Sequence, residues 1–280
     1  MKRIRSFSIY FGIALFAVPA TAEVAITPDV VYGHKDGMAL VYDVFQPEDA
    51  NGASVLFMIS GGWFSGWAPP ERRQRQFGYL LDAGFTVFAI HHGSAPRFKV
   101  PDAVADVRRA VRHVRMNAEQ FGIDPDRLAV MGGSAGGHLA LMLGLASDSG
   151  DESALDPVLR VSNRVQAVVA YYPPVDLSKS AGPNDRFPAL DFDPALAPDV
   201  SPINFVSDDD PPVLMIHGDE DRLVPLRNSE RMGEALDGVG VTNNVVVLAG
   251  ARHGFRDAHR DRARDETVAF LTAQLAAGRE

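Results

Sequence analysis

Residues 128–147 read LAVMGGSAGGHLALMLGLAS, and this stretch decides the fold. The apolar run 128–132 has the continuous hydrophobicity of a strand covered on both faces. The apolar run 135–147 has the length of a helix. Between them Gly132, Gly133, Ser134, Ala135 and Gly136 spell G-x-S-x-G at a strand-to-helix turn. Glycine weakens strands and helices, so its concentration here needs a reason. A sharp turn holds the serine in a strained conformation, its hydroxyl clear of the sheet, and side chains two residues to either side would collide. The serine also precedes a helix, whose first N–H groups point outward and favour negative charge. The pattern predicts an exposed nucleophile at Ser134 with room for an oxyanion. A phosphate-binding loop would use similar glycines. The chain, however, has no G-x-x-x-x-G-K-[ST] and no acid placed to hold a ribose.

The same rhythm extends outward. Residues 38–47 alternate like a half-buried strand, and 54–60, 85–92, 165–172, 212–218 and 244–250 are further strand-like runs. Helical patterns fall at 71–83, 101–121, 226–237 and 262–277. Strand and helix in alternation predict an α/β fold: a mostly parallel, eight-stranded sheet with helices on both faces. Residues 173–211 break the rhythm. They are rich in Pro and Asp, and a long irregular insert in a compact domain is functional or mobile more often than not. We read it as a small cap or lid, with a passive surface loop as the alternative.

The first 22 residues stand apart. Lys2, Arg3 and Arg5 precede an apolar run and the small residues Ala20, Thr21 and Ala22. This is the order of a secretory signal, with an apolar core too short to span a bilayer comfortably. Cleavage after Ala22 is expected, leaving 23–280 as one domain that is periplasmic or secreted and not stably inserted in a membrane. Removing three bases and no acid takes the net charge from −9 to −12, which argues against nucleic acid or an anionic membrane as partner. The chain has no cysteine, so it has no disulfide framework, thiolate nucleophile or cysteine-held metal.

A serine hydroxyl needs a base, and the base needs an orienting acid. In this architecture they follow in the order serine, acid, histidine. Asp219, Glu220 and Asp221 follow the run 212–218. Asp219 directly follows the strand-end glycine and suits a loop brace, whereas Asp221 lies further out. Asp176, after an earlier strand, stays open as an alternative. His253 follows the last strand and precedes a glycine. His217 sits within a strand end and reads as a packed histidine, and His259 lies in the tail. An oxyanion hole needs donors already in place. One is the backbone N–H of Ala135, and the second is sought in the loop Ser60-Gly61-Gly62-Trp63 after an early strand. Trp63, Phe64 and Trp67 are costly to expose and are expected to line a pocket or pack beneath the lid.

Taken together, the segments SGGWFSG (60–66), PDAVADVRRAVRHVRMNAEQFGIDPDRLAVMGGSAGGHLALM (101–142), PPVLMIHGDEDRLVP (211–225) and GARHGF (250–255) resemble the α/β-hydrolase fold. Within it they are similar to hormone-sensitive-lipase-like and feruloyl-esterase-like carboxylesterases, over roughly 38–275. The resemblance implies Ser134 as nucleophile, Asp221 as acid, His253 as base, and backbone donors at Ala135 and around Gly62 and Trp63. It implies hydrolysis of a small-molecule or carbohydrate ester, short in its acyl chain, with no cofactor and no metal. Deacetylation of a polysaccharide fits export and an aromatic pocket. One departure stands out. Such esterases usually carry His-Gly-Gly at the oxyanion loop, and here Ser60 takes the place of that histidine, where its hydroxyl can brace the loop by bonding the backbone. Two other readings remain. Peptidases of the prolyl-oligopeptidase type share this catalytic domain, usually behind a propeller, and a hydrolase fold can serve as a non-catalytic binding protein.

Overall fold

The structure, a computed structural model, describes residues 24–276. The leader read at 1–22 lies outside the described residues. Eight strands form one sheet: β1 (Val24–Lys35), β2 (Met38–Pro47), β3 (Ser54–Met58), β4 (Thr86–Ile90), β5 (Leu128–Gly133), β6 (Ala167–Tyr171), β7 (Val213–Gly218) and β8 (Asn243–Leu248). Their order across the sheet is β1-β2-β4-β3-β5-β6-β7-β8. The pairs β1–β2 and β2–β4 are antiparallel and the rest are parallel. The sheet is thus the expected one, with an antiparallel edge.

The helices are α1 (Pro70–Leu81), α2 (Val100–Met116), α3 (Ala135–Leu145), α4 (Arg227–Val239) and α5 (Asp257–Gln274). Strand residues alternate between two cores, as the period of a strand requires. On one face Leu56, Phe88 and Val130 pack with residues of α2, α3 and α4. On the other, Val55, Val87 and Ala129 pack with Phe77 and Leu80 of α1 and Leu271 of α5. α3 is buried along its whole length, as a helix apolar all round must be. Glycine brings it close to the sheet: a Cβ at Gly144 would stand 2.3 Å from Val168 Cγ2.

Two elements depart from expectation. β1 has no clean alternation, because Pro28 and Asp29 interrupt it and its register shifts twice against β2. α5 starts at Asp257, a full turn before the apolar pattern begins, because its first residues, DAHRD, are solvent-facing. Residues 173–211 form the irregular insert expected there and hold no α-helix or strand. They wind through short 3₁₀ turns at Pro188–Leu190, Pro194–Val200 and Pro202–Asn204. Proline fixes φ near the helical value but supplies no N–H, so short tight turns replace longer helices. Among the described residues no helix is long and apolar enough to cross a membrane.

Candidate active site

Ser134 follows β5 and immediately precedes α3, with φ 56° and ψ −119°. This left-handed backbone is costly for any residue with a Cβ and persists only where the surroundings enforce it. The flanking glycines are required sterically. A Cβ on Gly132 would lie 2.4 Å from the backbone of Gly136, and one on Gly136 would lie 2.8 Å from the carbonyl of Met58. The Ser134 N–H donates to the Tyr171 carbonyl at 2.8 Å, tying the turn to the neighbouring strand.

His253, in the loop after β8, meets Ser134 and Asp221 at once. Its Nε2 lies 2.9 Å from Ser134 Oγ and its Nδ1 lies 2.6 Å from Asp221 Oδ2. The short Nδ1 contact places that ring proton toward the carboxylate, so Nε2 faces the serine as acceptor. Asp221 is buried. Its second oxygen accepts the backbone N–H groups of Leu223 and Val224 at 2.9 and 3.0 Å, which fixes the carboxylate in place. The His253 side chain remains 21% exposed, so this buried acid orients a base that substrate can reach. The three groups span residues 134 to 253 and converge because parallel strands end on the same side of the sheet.

The competing acids are occupied elsewhere. Asp219 accepts the Gly250 N–H at 2.7 Å and braces the loop. Asp176 lies 3.3 Å from Arg231. Glu220 lies 3.5 Å from Arg252. His259 lies 3.1 Å from the Ala249 carbonyl.

The turn after β3 has the shape an anion site needs. Gly61 and Phe64 exchange backbone hydrogen bonds at 3.0 Å. Gly62 and Trp63 form the tip, with φ 57° and 60°, and both line the same cavity as Ser134. The Ala135 N–H lies in the first turn of α3, where no intrahelical acceptor exists. Ser60 does brace this loop, but through a side chain and not the backbone: its hydroxyl lies 2.9 Å from His92 Nε2. His92 Nδ1 contacts the Gly93 carbonyl at 2.9 Å, so Nδ1 carries the proton and Nε2 accepts from Ser60. Burial pushes the His92 pKa down to about 4. His138 of α3 acts similarly on the other side. Nε2 donates to the Val200 carbonyl at 2.7 Å, and Nδ1 accepts from Trp63 Nε1 at 3.4 Å. Burial also lowers its pKa to about 4, so it stays neutral and ties the insert to the oxyanion loop.

The aromatic expectation needs correction. Trp63 is 5% exposed and lines the cavity, whereas Phe64 is 42% exposed and Trp67 is 68% exposed. Neither of the latter two lines the cavity that holds Ser134, although Phe64 lines a separate, smaller pocket with Gly61, Gly133 and Tyr172. The tight turn that points Trp63 inward turns its neighbour outward, and Trp67 lies in the irregular stretch leading to α1. Phe187, which the sequence did not single out, takes part instead: a Cβ at Gly62 would stand 3.0 Å from its ring. Tyr172 was missed as well. Its ring centroid lies 4.6 Å from that of His253, and its φ is 39°. An aromatic directly after an apolar strand reads as core, and nothing in the sequence shows its contact with a loop 81 positions away.

The cavity above Ser134 has a volume of about 770 Å³. Gly62 and Trp63 form one wall, residues 174–190 of the insert another, and residues 223–231 a third. A smaller depression holds His253, and the two meet at Leu223.

The family model BD-FAE matches residues 42–236. The chain belongs to this feruloyl-esterase-like family. Among curated proteins it is 31% identical to the esterase LipQ of Mycobacterium tuberculosis, over 85% of this chain and 59% of that protein. It is also 31% identical to the esterase LipC of the same organism, over 81% of this chain and 59% of that one. The chain thus spans about three fifths of the length of these relatives. Among solved structures, a truncated carbohydrate esterase from gut microbiota superposes with a TM-score of 0.76 at 28% identity, covering 92% of this chain and 98% of that one. Thermogutta terrifontis esterase 2 phosphorylated by paraoxon gives 0.73 at 28%, covering 90% and 94%. The fold is that of an α/β-hydrolase.

Proposed function

We propose that this chain is a serine carboxylesterase acting on short-acyl esters of small molecules or carbohydrates. The observation that carries the reading is His253, within hydrogen-bond distance of Ser134 Oγ on one ring nitrogen and of buried Asp221 on the other. In the first half-reaction Ser134 Oγ attacks the acyl carbonyl and passes its proton to His253 Nε2. Asp221 holds the ring in the required tautomer and stabilises the imidazolium. The carbonyl oxygen takes the negative charge and is received by the N–H groups of Ala135, Gly62 and Trp63. His253 then protonates the leaving alkoxide, and the C–O bond breaks to leave an acyl-enzyme on Ser134. Water, deprotonated by His253, attacks the acyl carbonyl, and the acid departs with Ser134 regaining its proton.

The relatives' printed names, esterase and carbohydrate esterase, support this class of substrate. The leader supports action in the periplasm or outside the cell. Residues 173–211 serve as the cap, since their first half walls the cavity over Ser134. The test is hydrolysis of p-nitrophenyl esters from acetyl to decanoyl by the purified protein. The expected result is turnover that falls steeply beyond butyryl and is absent in Ser134→Ala. No serine-dependent turnover on any ester would contradict the proposal.

A further inference from the structure

The chain is acidic, with 36 Asp and Glu against 27 Lys and Arg, yet the walls around Ser134 and His253 have the opposite sign. Six cations line the cavity and the adjoining depression: Lys179, Arg186, Arg222, Arg227, Arg231 and Arg252. Among the described residues only two carboxylates line those walls, Asp176 and Glu220, and both are already matched, with Arg231 at 3.3 Å and Arg252 at 3.5 Å. Among the described residues Lys179, Arg222 and Arg227 have no carboxylate within ion-pair reach, and Arg186 only overlies the Phe187 ring at 5.3 Å.

This placement runs against the stability of the folded chain. Like charges crowd one cleft while acids sit elsewhere, and concentrated charge of one sign costs self-repulsion. Arg227 and Arg231 stand one turn apart in the first two turns of α4, the end at which a helix disfavours cations. A cleft with low-dielectric walls focuses such a field and raises the local concentration of anions. Because these cations surround the reacting serine and its base, the anion they suit belongs to the substrate.

Resting on the esterase reading above, we infer that the ester this site hydrolyses carries a carboxylate, held by Lys179 and Arg227 in the cavity over Ser134. The class is a half-ester of a dicarboxylic acid or a sugar acid acylated on a hydroxyl, with the scissile carbonyl at Ser134 and the free carboxylate toward the start of α4. All these cations are solvent-exposed, so salt screens them and the preference is moderate.

The experiment is competition against p-nitrophenyl butyrate hydrolysis by the purified protein. One competitor is monomethyl succinate, and the other is the methyl ester of 4-hydroxybutanoic acid, of similar length and without charge. We expect the anionic competitor to inhibit about tenfold more strongly at low salt, with the ratio falling toward one in about 0.5 M NaCl. The Lys179→Gln/Arg227→Gln double variant should abolish the ratio, and Arg227→Lys should keep most of it. A ratio near one for the unaltered protein, or a ratio indifferent to salt and to the double variant, would overturn the inference while leaving the esterase reading intact. Absence of Ser134-dependent butyrate hydrolysis would instead contradict the esterase reading and the inference with it.

Discussion

Two histidines approach the carboxylate of Asp221, each paired with a serine. His253 Nδ1 lies 2.6 Å from Oδ2 and reaches Ser134 Oγ through its other nitrogen. His217 Nε2 lies 3.4 Å from the same oxygen, and its Nδ1 lies 2.8 Å from Ser229 Oγ. The residue types are the same, but the surroundings are not. His217 and Ser229 are wholly buried, and His217 Nε2 lies 2.8 Å from the Val224 carbonyl and donates to it. Burial lowers the His217 pKa, so it is a neutral brace between β7, α4 and the loop that carries Asp221. Ser134 stands on a strained turn at the floor of a cavity, and Ser229 lies within α4 with no path to solvent. Composition alone therefore does not make a nucleophile; access, backbone strain and adjacent oxyanion donors do.

Serine replacement is the sharpest way to break the comparison. Ser134→Ala should lower kcat on the order of 10⁴-fold or more, with stability nearly unchanged, since one member of a cooperating set is lost. Ser229→Ala should keep most of kcat. It should instead cost about 1–3 kcal/mol of stability in urea unfolding, because the buried His217 Nδ1 loses its donor. Comparable kcat losses in both variants, with both folded, would erase the distinction drawn between the two pairs.

A smaller effect sharpens the contrast between braces and base. His92 and His138 are neutral braces with folded pKa values near 4, against about 6.5 in the unfolded chain. The unfolded state therefore binds more protons between those values, and stability falls as pH drops. Their contribution is complete above pH 6.5 and is lost progressively toward pH 4, by up to about 2 kcal/mol each at pH 5. Unfolding free energies at pH 7 and pH 5 for the native protein and His92→Gln check this. The variant should show a shallower decline, and an identical decline would remove His92 from the account.

The parts legible in the sequence share a physical cause. Ser134, its glycines and the runs of β3 to β7 carry local constraints, either sterics within five residues or strands buried on both faces. Asp221 and His253 were legible because parallel strands deliver their ends to one edge. What the sequence hid depends on direction and distance. The Gly62–Trp63 turn divides three neighbouring aromatics between cavity and solvent, and no periodicity encodes that outcome. His92, His138 and Tyr172 owe their roles to partners 32, 75 and 81 positions away, so each looks like core from its own surroundings. β1 escaped because it is an edge strand whose register shifts spoil its alternation.

The most direct test is covalent labelling with paraoxon, which phosphorylates the related Thermogutta esterase. The purified protein should gain one diethylphosphoryl group, located by peptide mass spectrometry on Ser134, and lose ester turnover in proportion to labelling. Ser134→Ala should stay unmodified, and Ser229→Ala should label like the native protein. Labelling on Ser229, or full turnover in a protein labelled at Ser134, would contradict the account.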